Sequence, residues 1–89
     1  MRTTQSGSSM TVDVPNLPTA SGGFYEVWLM ASPSQLVSLG VLDARHHGTF
    51  PVPDGLDATR YPYVDVSLEA FDGNPAHSGD SVVRGRVPA

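Results

Sequence analysis

Cysteine is absent from the 89-residue chain, which excludes both a disulfide framework and a thiolate metal site. Lysine is absent as well, and five arginines stand against nine carboxylates for a net charge of −4. Nucleic-acid binding needs clustered cations to neutralise several phosphates, and Arg84 and Arg86 are the only close pair. The same shortage speaks against adhesion to an anionic membrane surface. No stretch approaches the ~20 apolar residues that span a bilayer. The N-terminal MRTTQSGSSM has an arginine but no apolar run behind it, so it does not read as a signal peptide. Any anchor or export signal is therefore expected in a segment outside this chain, which would make the chain a fragment of something longer. Also missing is a sustained 3.6-residue period, so no long helix is expected. Leu56–Arg60, after Pro53-Asp54-Gly55, suggests at most a single turn.

What is present is punctuation. Eight prolines and nine glycines are spread along the chain, the pattern of many short elements separated by turns. A chain this size buries only about 60–65% of the surface its unfolded form exposes, so its core is thin and leaves little room for a deep cleft. Residues 1–9 are rich in Ser, Thr and Gly and read as a disordered tail or linker. Residues 10–89 read as a single domain, with short apolar runs and turn signals every eight to twelve residues. That pattern predicts an all-β fold, a small antiparallel two-sheet β-sandwich of immunoglobulin-like type with six to seven strands.

The clearest piece is a hairpin of Gly23–Met30 and Leu36–Leu42 across Ala31-Ser32-Pro33-Ser34-Gln35. With Met30 opposite Leu36, Tyr25, Val27 and Leu29 share one face with Val37, Leu39 and Val41, and that face is expected to be core. The opposite face carries Phe24, Glu26, Trp28 and Met30 over Ser38 and Gly40. A shift of one residue would mix apolar and polar side chains on both faces, so this register is well specified. Tyr63–Phe71 is a second strong strand, with Val64, Val66, Leu68 and Ala70 alternating with a wet face of Asp65, Ser67 and Glu69. Thr11–Val14, Gly48–Val52 and Ser81–Val87 are weaker strands. Pro51 lacks an amide donor, which places its strand at an edge or a bulge. Asp72-Gly73-Asn74-Pro75 is a turn by composition.

Catalytic and metal chemistry find little to work with. His46 and His47 are adjacent, so in a strand they would point to opposite faces, and His77 converges with them only if the fold brings it there. All three read as exposed loop histidines, because a metal site needs three or four converging ligands. His77, Ser78, Asp80 and Ser81 hold the residue types of a catalytic triad. Without the Gly-x-Ser-x-Gly elbow they read as turn formers. Glu26 and Glu69, the only glutamates, read as solvent-face charges, or as partners of Arg84 or Arg86. Ser21-Gly22-Gly23 precedes a strand, so it does not form a phosphate cradle at a helix N-terminus. Catalytic, cofactor-binding and metal residues are therefore expected to be none. The candidate interaction surface is Phe24, Glu26, Trp28 and Met30, with Trp28 either covered by a loop or partly exposed to a partner.

The run Phe24-Tyr25-Glu26-Val27-Trp28-Leu29-Met30, followed by Val37-Ser38-Leu39-Gly40-Val41-Leu42, resembles the extracytoplasmic C-terminal domain of the anti-sigma-K factor family. Phe50-Pro51-Val52-Pro53 with Gly55-Leu56 agrees with it. So does Asp65-Val66-Ser67-Leu68-Glu69 through Asp72-Gly73-Asn74-Pro75 and His77-Ser78-Gly79. The resemblance spans roughly residues 22–86 and rests on the order and spacing of these stretches together. It implies a protein whose N-terminal cytoplasmic domain sequesters an alternative sigma factor. One transmembrane helix would lead to this domain on the extracytoplasmic face, and regulated proteolysis would release the sigma factor. The implied partners are a sigma factor and a site protease, both engaged through the full-length protein, with no nucleic acid and membrane contact only through a segment absent here. The shared positions read as strand, turn and core residues and mark no ligand site.

The expected function is thus that of a non-enzymatic regulatory domain. The first rival is a secreted carbohydrate- or cell-surface-binding sandwich using the Trp28 face, which burial of Trp28 would remove. A copper- or metal-handling sandwich built on His46, His47 and His77 comes next, and a hydrolase last.

Overall fold

The computed structural model describes residues 1–52, 60–71, 73 and 76–87. The turn expected at Leu56–Arg60 lies outside these residues except for Arg60, and the turn at Asp72–Pro75 lies outside them except for Gly73. Seven strands follow in chain order: β1 Arg2–Ser6, β2 Ser9–Asp13, β3 Gly23–Ser32, β4 Gln35–Val41, β5 His47–Pro51, β6 Tyr63–Ala70 and β7 Ser81–Arg86. They form two antiparallel sheets, β1-β2-β5 and β4-β3-β6-β7. In the constant-type immunoglobulin arrangement the fourth strand pairs with the fifth; here it pairs with the third, so the small sheet loses a strand and the large sheet gains one.

Where composition suggests a disordered tail, the first nine residues instead form β1 and begin β2. Ser6 pairs with Ser9 around Gly7-Ser8, and the ladder runs out to Arg2 opposite Asp13. Gly7 has a φ of 58°, the positive first position that a two-residue hairpin turn of type II′ requires. Ser and Thr are poor markers of disorder when a neighbouring strand offers them a ladder.

The sheets enclose one core. Met10 and Val12 of β2, Phe50 of β5, Tyr25, Val27 and Leu29 of β3, and Val64 and Val66 of β6 are buried there, with Val14 and Leu42 closing its ends. The Tyr25 hydroxyl donates to the Pro18 carbonyl at 2.7 Å, so the linker before β3 is tied to the core by the one polar group on that face. β5 is an edge strand, which is where Pro51 requires it to be.

The β3–β4 hairpin begins in the expected register, with Met30 opposite Leu36, Leu29 opposite Val37 and Trp28 opposite Ser38. It then departs. A bulge between Val27 and Trp28 sets Val27 against Gly40 and Glu26 against Val41, leaving Leu39 unpaired. The physical reason is Gly40, whose φ of 150° a side chain would resist, and whose missing Cβ leaves room for the Phe50 ring. Val41, expected in the core, is half exposed as a result.

Candidate functional site

β3 is interior in its sheet, so both its edges are paired, with β4 and β6. On the face away from the core, Trp28 lies opposite Asp65, Glu26 opposite Ser67 and Phe24 opposite Glu69. Asp65, Ser67 and Glu69 were expected to be the wet face of β6. They are instead buried, at 0%, 0% and 5% exposure. The cover comes from β7 on one side and from residues 76–80, which lead into it. Burial of two carboxylates demands partners, and the chain supplies them from this cover.

Asp65 is the hub. Its Oδ1 accepts the Arg84 Nε–H at 3.0 Å, and its Oδ2 accepts the Ser81 hydroxyl at 3.0 Å and lies 2.7 Å from His77 Nε2. The Gly79 amide donates to His77 Nδ1 at 2.8 Å. Nδ1 must therefore hold a lone pair, which puts the ring proton on Nε2 and makes His77 the donor to Asp65. The Ser78 amide donates to Glu69 Oε2 at 3.0 Å, and its hydroxyl donates to the Leu68 carbonyl at 2.8 Å. Trp28 Nε1 donates to Ser67 Oγ at 2.9 Å, and that hydroxyl donates onward to Glu69 Oε2 at 2.5 Å. The Trp28 and His77 rings lie 5.1 Å apart between centroids. Among the described residues no buried side-chain nitrogen or oxygen lacks a partner.

Burial alone would raise the Glu69 pKa. The Ser67 hydroxyl and the Ser78 amide outweigh it, and His77 adds to them, so the carboxyl sits below its ordinary range. A carboxyl depressed in the folded state stabilises the fold above its unfolded pKa, and that contribution is lost as pH falls through the folded value. The Glu69 contribution to unfolding free energy, measured in urea, should therefore be fully present above about pH 4.5 and decline below it. Glu69→Gln should flatten that part of the acid decline. Asp43, whose carboxylate is held down by the His47 and Arg45 amides, contributes in the same direction. A decline of equal slope in the variant would show that Glu69 has no such role.

The four residues of the expected interaction surface fall into two pairs. Trp28 and Met30 are buried, at 6% and 3% exposure. Phe24 and Glu26 are half-buried; Phe24 stacks on the exposed Phe71 at 5.1 Å, and Glu26 accepts the Ser38 hydroxyl at 2.5 Å. Because Trp28 is buried, it offers no stacking platform for a sugar ring, and the carbohydrate reading loses the residue it stood on. His77 is no exposed loop histidine, with only 12% of its side chain accessible. His46 packs edge-on against Tyr25, while His47 lies 3.9 Å from Asp13. Among the described residues no three His, Asp or Glu side chains are placed to hold a metal ion. The triad types also fail to assemble, because Ser81 donates to Asp65 and His77 Nδ1 is taken by a backbone amide.

Sequence reading missed Asp65 as the hub and misassigned Arg84 to a glutamate. The available signal was an acidic residue in the middle of a strongly apolar strand, with a spare arginine two positions from the chain's other close cation.

The family model described as "Anti-sigma-K factor rskA, C-terminal" matches residues 1–81. No curated protein and no solved structure gives a significant match.

Proposed function

The chain belongs to the family of anti-sigma-K factor C-terminal domains, and from that membership we propose that it is the extracytoplasmic regulatory domain of a membrane-anchored anti-sigma factor. The family is regulatory, and its name implies a sigma factor as the partner of the whole protein. In this reading an N-terminal cytoplasmic domain holds the sigma factor, and a membrane segment joins it to this sandwich on the outer face. A site protease then cuts the stalk between them to release the sigma factor.

The observation that carries the proposal is the length of the match, from β1 through β6 to the first residue of β7. The outer face of β6 supports it, since its polar side chains are occupied with one another and with their cover. A sandwich of this size is marginally stable, so ligand binding or stress shifts its folding by a few kcal/mol and changes how well it shields the adjoining stalk.

The test is a reporter of sigma-dependent transcription in cells carrying the full-length protein or a form lacking this domain. Loss of the domain is expected to change reporter output, with stalk cleavage tracking unfolding in limited proteolysis. An unchanged reporter, together with a coding sequence that has no upstream segment of ~20 apolar residues, would sink the proposal.

A further inference from the structure

We propose that residues 77–80 form an acid-released clasp, which opens from the outer face of β6 and bares Trp28 while the core between the sheets stays folded. His77 and Ser78 are fastened to buried carboxylates, His77 to Asp65 and the Ser78 amide to Glu69. The remaining fastenings are the Ser78 hydroxyl on the Leu68 carbonyl and the Leu68 amide on the Asp80 carbonyl. None of residues 77–80 contributes a side chain to the apolar core between the sheets. Local opening therefore forfeits hydrogen bonds and the cover of Trp28, but no core contact.

The clasp borders an open cavity. A cavity of about 250 Å³ is lined by Gly22, Gly23, Leu68, Glu69, Ser78 and Asp80, among others, so Glu69 lies at its edge. Protonation removes the charge that gathers the Ser67 hydroxyl and the Ser78 amide onto one oxygen. The ionisable groups around Glu69 are His77 and Asp80 from the clasp, Asp65 on its own strand, Glu26 on β3 and Arg84 on β7. Three of these five are carboxylates, and Arg84 is engaged by Asp65. The direction of the Glu69 pKa, held down by the clasp's own donors, agrees with release in acid.

Trp28 is the single tryptophan, so tryptophan emission comes from the residue the clasp covers, and core amide exchange separates clasp opening from global unfolding. The experiment lowers the pH of the protein stepwise and follows Trp28 emission and acrylamide quenching, with amide exchange at Val27, Leu29, Val64 and Val66 measured in parallel. The expected result is a red shift and a several-fold rise in quenching at a higher pH than the loss of core protection. Glu69→Gln should abolish that earlier step, and His77→Ala should produce the red shift at neutral pH with core protection retained. A single transition in which emission and core protection change together would overturn the proposal, as would an acid step unaltered in the Glu69→Gln protein. Should His77→Ala fail to fold, the wild-type titration still decides.

Discussion

Replacing Phe50 with alanine is expected to cost about 3–5 kcal/mol of unfolding free energy, toward the upper end for a buried aromatic. Stability for a domain of this size is of the order of 5–15 kcal/mol, so the variant should sit at the edge of folding. The magnitude follows from what surrounds the ring. Phe50 is only 7% exposed, and it fills the space left by two glycines. A Cβ on Gly40 would fall 2.8 Å from the ring carbons Cδ1 and Cε1, and a Cβ on Gly48 within 2.3 Å of Cζ. On these two sides the wall is glycine backbone with no side chain to swing into the hole, so the cavity collapses little there. Phe50 also ties β5 of the small sheet to β4 of the large one, at the side where the bulge brings Gly40 into line. Urea denaturation should show the midpoint fall with an unchanged slope, and thermal melting should shift by more than about 12 °C. A loss below about 1 kcal/mol would show that the sheets hold together at this edge without the ring.

Asp65→Ala should cost about 3 kcal/mol, the lower part of the range for breaking a buried ion pair. The lower part applies because the Arg84 side chain is 45% exposed and can turn to water. His77 cannot do so cheaply, as its Nε2–H would face an apolar side chain while Gly79 holds its other nitrogen. Asparagine should restore only part of the loss. An amide offers one acceptor oxygen where the carboxylate offers two, so Arg84 or His77 is satisfied but not both. A switch of the His77 tautomer would satisfy the amide NH₂ only by turning Nδ1–H against the Gly79 N–H. Chemical denaturation of both variants, read by Trp28 fluorescence, measures this order. Full rescue by asparagine would mean that shape matters at this position and the second acceptor does not.

These two sites differ in how visible they are in the sequence. Two-residue alternation in β3 and β6 picks out Tyr25, Val27, Leu29, Val64 and Val66 correctly, because inner-face burial is a property of each strand alone. Pro51 at an edge is legible for a similar reason, since a missing amide is a local fact. The bulge was signalled by a glycine inside an apolar strand, but its position depends on Phe50, ten residues on. The outer face was the hardest to read. Asp65, Ser67 and Glu69 look like solvent-facing residues until β7 and residues 76–80 are laid over them, and no periodicity encodes that cover. Trp28 lay between the two cases: its face followed from register, while its burial depended on His77, forty-nine residues away.

The hairpin of β1 and β2 has a mechanical consequence. Its turn lies at Gly7-Ser8 and its open end at Arg2 opposite Asp13, so a load entering from the N-terminal side arrives at the open end. With the tether on that side, as proposed, tension against a gripped domain would part the β1–β2 pairs one at a time, from Arg2 toward Ser6. Peeling of this kind needs far less force than sliding a whole ladder at once, because only one pair bears the load at any moment. Trp28 and Asp65 belong to the other sheet. The domain would therefore yield like a zip at the strand nearest the membrane, lengthening the exposed stalk by about 3.3 Å for each residue freed while the rest of the sandwich keeps its shape.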